Sequence, residues 1–290
     1  MSVAAPTARN RPAPSDIWRR ASGWLLPVAF AAFVGVGLCG NVLAPVDPAF
    51  VDLANRYIPP FVQAAHPLGT DQLGRDILSR ALVGANLSLS IAALSILVAS
   101  TWGIAVGMIA GYFGGAAEIV LMRLADAMLS LPTIMIALLL VAIMEPGFWS
   151  VVAAVVMVTW ARYARFIRGE VVAIRSREFL SAAVVCGTPA WKILWHHVLP
   201  NVLNAVVVLL TLDIGRVILL ESSLAFLGLG LPPDRGAWGS TIFEGKVYLE
   251  IAPWIVLVPS AAMTVAVLLA NSFGNWLSDR LDPRLRALER

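Results

Sequence analysis

The stretch Glu178-Phe179-Leu180-Ser181-Ala182-Ala183-Val184-Val185-Cys186-Gly187-Thr188-Pro189-Ala190-Trp191-Lys192-Ile193-Leu194-Trp195-His196-His197-Val198-Leu199-Pro200-Asn201 decides the fold. It is too polar and too broken to cross a bilayer, yet it lies between two segments apolar enough to do so. It reads as two short helices joined by a sharp turn. Gly187 is suited to end the first helix in the left-handed conformation. Thr188 is placed to cap the second, with Pro189 at its first position, and Pro200 to stop it. Ala182, Ala183 and Gly187 leave a small-residue surface that the groove of another protein could approach closely. Two readings stand: an ordinary surface hairpin of helices, or a knob by which a membrane protein engages a soluble partner.

The composition places this stretch in a membrane protein. Of 290 residues, 59% are hydrophobic and 13% charged, and the mean hydropathy is +0.81. Soluble domains carry about 25% charge. Apolar runs near the ~20 residues needed to span fall at 24–44, 87–110, 119–144, 148–167, 202–226 and 252–273. Six spans put both termini on one side. That side takes the four arginines of the N-terminal arm, Arg123, the run from Arg162 to Arg177, Lys192 and the four arginines from Arg280 to Arg290, most of the 21 basic residues. The positive-inside rule then places the termini and the 178–201 loop in the cytoplasm. The run Arg162, Arg165 and Arg168 reads as this topology signal, its side chains snorkelling to the inner interface, with contact to an acidic partner or lipid headgroups as an extra role. The first span reads as a retained anchor rather than a cleaved signal. Cys39 and Cys186 should lie on opposite sides of the bilayer, unpaired.

Between the first two spans, Thr70 is placed to cap a helix. Asp71 with Arg75, and Asp76 with Arg80, stand four apart with the acid first, the favourable order. With Leu73, Ile77, Leu78 and Leu82 as an apolar stripe, this segment reads as an amphipathic helix on the outer membrane surface. Residues 111–115 read as a tight cytoplasmic turn, and Arg123 with Asp126 as an i,i+3 ion pair. Within the fifth span, Asp213, Arg216 and Glu221 are costly at membrane depth. They read either as a self-neutralised network, Arg216 serving both acids, or as a polar wall of a translocation path.

Four segments together resemble one family. The permease subunits of ATP-binding-cassette importers carry a cytoplasmic loop of pattern Glu-Ala-Ala, three residues, Gly, nine residues, Ile, one residue, Leu-Pro. Ala182, Ala183, Gly187, Leu199 and Pro200 fall in that register, while Ser181 stands where Glu is usual and His197 where Ile is usual. Glu178, one turn earlier, is the available substitute acid. His66-Pro67-Leu68-Gly69-Thr70-Asp71, Gly74-Arg75-Asp76 and Ser79-Arg80 resemble the outer segment of dipeptide, oligopeptide and nickel permeases, as do Gly84-Ala85-Asn86-Leu87-Ser88-Leu89, with Asn86 where Arg is common. Trp160 to Arg168, and Leu224 to Pro233 with Ala237-Trp238-Gly239, are similar to further segments of those permeases.

The resemblance implies an all-α polytopic membrane protein with six transmembrane helices, the type I importer permease (MetI-like) fold with cytoplasmic coupling helices. Its parts would be a cytoplasmic arm at 1–22, a first span and outer amphipathic segment at 23–85, a permease core at 86–275, and a cytoplasmic tail at 276–290. The core contains the coupling loop 178–201 and an outer or re-entrant loop 227–250. Glu178, Ser181, Ala182, Ala183, Gly187, His197, Leu199 and Pro200 would couple to an ATPase. Asp213, Arg216 and Glu221 are the path candidates. Gly69, Thr70, Asp71, Gly74, Arg75, Asp76 and Arg80 form the outer family motif, by packing or by substrate contact. The implied partners are a homologous permease, two cytoplasmic ATPases, an extracytoplasmic binding protein and membrane lipid, with no nucleic acid. The chain would be the C-type subunit of a dipeptide or oligopeptide system in the bacterial inner membrane, with a nickel system as the alternative.

What the sequence lacks agrees with a non-catalytic role. Gly245-Lys246 is followed by Val247, and Ser240 stands five residues before that glycine, so the phosphate-cradling loop fails. No metalloprotease helix, nucleophile elbow or Cys/His cluster occurs. ATP and Mg²⁺ would therefore belong to the partner ATPases, with no catalytic residue, metal or cofactor on this chain. A secondary transporter or channel working without ATPases is the competing class. It would be expected to show pseudo-symmetric halves with paired helix breaks, and no internal repeat is seen.

Overall fold

The computed structural model describes residues 14–281. Helix α1 (Pro14–Leu38) takes in the last part of the expected arm; residues 1–13 and 282–290 lie outside the described residues. A single turn, Gly40–Leu43, follows. Then come α2 (Ile77–Phe113), α3 (Gly115–Ser130), α4 (Thr133–Met144), α5 (Phe148–Arg175), α6 (Glu178–Val185), α7 (Ala190–Phe226), α8 (Trp238–Gly245) and α9 (Trp254–Leu281). Four of these, α2, α5, α7 and α9, are long and apolar enough to cross a membrane. The remaining two apolar runs give α1, whose apolar part is Trp24–Leu38, and the pair α3–α4.

The third run is not one straight span. Helices α3 and α4 meet at a 90° bend. Pro132 removes a backbone donor and pushes the preceding residue out of the helical region; Leu131 is accordingly extended, with φ −91° and ψ 146°. An apolar count passes over this break because Leu131 and Pro132 keep the run hydrophobic.

The central contact is α2 against α5, and small residues permit it. Gly103, Gly107 and Gly111 recur every four residues on one face of α2. A Cβ at Gly103 would stand 2.4 Å from Tyr163 Cβ, and one at Gly107 2.6 Å from the Ala164 carbonyl oxygen. The backbones thus approach as in small-xxx-small membrane interfaces. Outward from there, Ile91, Val155, Ile218 and Leu224 belong to one buried cluster. Inward, Leu180 of α6 and Ile193 of α7 are buried with Ile167, Val171 and Val202. The 178–201 loop is therefore packed onto the spans rather than hanging from them. The expected turn at 111–115 is formed by Gly114 and Gly115, with φ +67° and +57°.

The expected stop at Pro200 does not occur. α7 runs on from Ala190 to Phe226. Residues Ile193–Val198 wind as a π-helix immediately before the proline. The wider turn accommodates the missing donor and the ring clash that would break an ordinary helix. Thr188 does not cap it either: Pro189 occupies the N-cap position, with no side-chain cap.

The outer segment also departs from expectation. Residues 70–76 form a turn closed by a bridge between Thr70 and Asp76, not a surface helix. Thr70, Asp71, Arg75, Asp76 and Arg80 are all buried. The helix begins only at Ile77, capped by Asp76, whose carboxylate accepts from Ser79 N at 2.7 Å.

Candidate functional site: the 178–201 loop and two charged clusters

At the end of the bundle formed by the 178–201 loop, α6 closes in a Schellman motif. Gly187 N donates to the Val184 carbonyl at 3.0 Å and Thr188 N to the Ala183 carbonyl at 3.1 Å. The motif needs a left-handed residue, and Gly187 has φ +72°. A Cβ there would meet nothing within 4 Å. The loop is open on the side it presents: Ser181, Ala182 and Val184 are exposed, and so are Val185, Trp191 and Trp195. Glu178 sits in the first turn of α6, and Leu199 and Pro200 lie in the first turn of the straight part of α7. His197 is half-buried, its carbonyl accepting from Asn201 Nδ2 at 2.7 Å. A cavity of about 500 Å³ opens beside Ser181, walled by Tyr112, Phe113, Leu180 and Val184.

The arginine run of α5 is tied down by acids. Arg168 pairs with Glu118 and Arg165 with Asp126 at 2.5 Å, joining α5 to α3. Asp126 thus takes Arg165 and not Arg123, correcting the local i,i+3 pairing. Arg162 Nη1 donates to Asp213 Oδ1 on α7 at 2.5 Å. Arg216 reaches the same oxygen at 3.9 Å. Sequence reasoning missed Arg162 as the partner of Asp213, 51 residues away; its place in a basic run explained it too readily.

Arg216 does not serve Glu221. That side chain is fully buried, and its Oε2 accepts from Ser88 at 3.0 Å and Ser222 at 3.3 Å. It sits where α2 packs against α7, not on an open wall.

At the opposite end the family-like motif is knit into a charged network. Asp71 accepts from Arg75 N at 2.9 Å and Arg75 Nε at 2.6 Å, so this i,i+4 pair forms, though within a turn. Asp76 instead faces His66, with Nδ1 at 3.1 Å, and Arg80 turns away from it. Arg75 and Arg80 converge on Glu244 of α8 at 2.6 and 3.0 Å. Gly69 and Gly74, with φ +81° and +75°, let the turn lie on neighbouring backbone; a Cβ at Gly74 would stand 1.8 Å from the Asp52 carbonyl oxygen. The expected loop 227–250 thus contains a helix whose Glu244 completes the motif, a partner that no local pattern indicates.

Both cysteines are free. Among the described residues, no three metal-ligating side chains converge.

The family model for the inner membrane component of binding-protein-dependent transport systems matches residues 103–287. This chain belongs to that family. As such a component, it resembles the glutathione transport system permease GsiD of Pectobacterium atrosepticum, at 35% identity over 94% of this chain and 91% of that one. The dipeptide permease DppC of Alkalihalophilus pseudofirmus is 32% identical over 96% and 95%. The nickel permease NikC of Escherichia coli is 33% identical over 89% and 92%. In fold the component resembles a crystal structure of an amino acid ABC transporter with histidines, with a TM-score of 0.55 at 13% identity, covering 69% of this chain and 94% of that one. It is a multi-pass inner-membrane permease of a transport system that depends on a binding protein.

Proposed function

We propose that this permease forms one half of the membrane channel of an ATP-driven importer of small peptides. A homologous permease supplies the other half, and ATP is hydrolysed by two cytoplasmic ATPases. The carrying observation is likeness to glutathione and dipeptide permeases over more than nine-tenths of both chains. The loop around Gly187 is the coupling contact: it is capped, exposed and apolar, and it is continuous with a span. ATP-driven closure of the ATPases moves the two coupling loops together and opens the path outward to accept cargo; hydrolysis resets it. The resemblance to a nickel permease gives nickel, free or chelated, as a second reading. Proteoliposomes holding the full complex should accumulate labelled dipeptide and not free ⁶³Ni²⁺. Saturable nickel uptake that peptides fail to compete would reverse the order.

Both termini are assigned to the cytoplasm, on the distribution of basic residues. With Cys39 and Cys186 replaced, single cysteines at Ala49 and Ser176, both exposed, should react with an impermeant thiol reagent from opposite faces. Reaction of both from outside sinks this topology.

A further inference from the structure

The cluster between α5 and α7 holds more positive charge than it neutralises. Asp213 is buried, and among the described residues it is the only carboxylate that Arg162 or Arg216 reaches. Two guanidiniums on one carboxylate leave one unit of positive charge. The arginine side chains are 38% and 43% exposed. Arg162 is hydrogen-bonded to Asp213 through Nη1, and Arg216 approaches the same oxygen through Nη1 at 3.9 Å, so both guanidiniums retain further donors. Asp213 lies about 20 Å along the axis from the outer end of α7, at about 1.5 Å per residue. An uncompensated cation so deep in a span is costly, and an anion that came and went would offset it.

The surroundings suit an organic anion. Arg216 shares a face of α7 with Leu219, Ser223 and Phe226, spaced at helical intervals. Those three line an open cavity of about 310 Å³, together with Ile242 of α8 and Met263 of α9. Arg216 stands one helical turn before Leu219, the first of the α7 residues that line this mostly apolar hollow. Guanidinium forks match carboxylate geometry. Every linear peptide, whatever its side chains, ends in a carboxylate.

Resting on the peptide-import reading, we propose that Arg162 and Arg216, positioned by Asp213, bind the C-terminal carboxylate of the passing peptide. The cavity beside Leu219 takes the adjoining side chain.

The full complex, held outward-facing in nanodiscs by ATPases that bind but do not hydrolyse ATP, is tested without its binding protein. Labelled alanyl-alanine is compared with alanyl-alanine amide. The acid should bind at least about tenfold more tightly, as a charge-assisted contact implies. Arg216→Gln and Arg162→Gln should each bring the acid down to the level of the amide, and Arg216→Lys should keep part of the preference. Co-elution of all subunits checks that each variant assembles, and the wild-type comparison stands without any variant. Equal binding of acid and amide, or a preference that survives both glutamine variants, overturns the site. So does a co-purified anionic phospholipid that Arg216→Gln removes while acid and amide bind alike, because a lipid phosphate is then the counter-ion. Uptake separates the two ideas. Dipeptide accumulation without an acid preference removes the site alone, whereas no dipeptide accumulation removes the peptide reading itself.

Discussion

Gly187→Asp is expected to lower uptake by the full complex at least about tenfold, which corresponds to about 1.4 kcal/mol of lost coupling, while the chain still reaches the membrane. Two effects act at this position. The first is backbone strain: with φ +72°, any side chain costs roughly 1–2 kcal/mol. The second is bulk and charge on an open surface, since a Cβ there touches nothing of this chain. Gly187→Ala separates them, because it pays the strain with the least bulk. Uptake should fall modestly for Ala and collapse for Asp. If Asp transports normally, the loop is no docking surface. If Ala loses as much as Asp, strain in the Schellman turn is the whole account.

Glu244→Ala is expected to destabilise the chain by about 3–5 kcal/mol, the usual consequence of removing one partner of a buried ion pair. Arg80 is fully buried and Arg75 nearly so. Without Glu244, Arg75 keeps Asp71 at 2.6 Å. Arg80 is left with Thr241 at 3.1 Å and Asp71 at 3.8 Å, and its Nε and Nη1 already lack hydrogen-bond partners. The thermal midpoint in detergent should fall by roughly 10 °C. Glu244→Gln keeps an acceptor and should fall by less. A shift below about 2 °C for the alanine variant would mean that the network contributes little and that the outer motif is held by packing alone.

The parts of this molecule that could be read from the chain are those set by local chemistry. Apolar runs announce helices because a bilayer demands them, and Gly187 announces a left-handed cap because few other residues serve there. The Asp71–Arg75 pair was legible for the same reason, its partners standing four residues apart. What stayed hidden depends on three-dimensional pairing. Asp213 offers Arg216 as a near neighbour in sequence, yet the shorter contact comes from Arg162 on another helix. Asp126 has Arg123 three residues away and is held by Arg165. Glu244 lies 164 residues from Arg80, so no spacing rule could connect them. Prolines misled in both directions. Pro132 breaks a run whose hydropathy shows no break, and Pro200, which should end a helix, is absorbed by a π-turn.

That π-turn has a mechanical meaning. With α7 continuous from Ala190 to Phe226, the exposed knob and the interior of the spans belong to one bar about 55 Å long at an ordinary helical rise. Force applied near Trp191 would reach Asp213 along one helix, through the π-turn and not through a loop. It acts as torque on a lever, with the fulcrum where α2 and α9 grip the bar. The wider winding at Ile193–Val198 is where such a lever has the most give, because its hydrogen bonding is already displaced from the α register. Part of a stroke would be taken up in that turn, and the remainder would move Arg216 relative to Arg162 on α5.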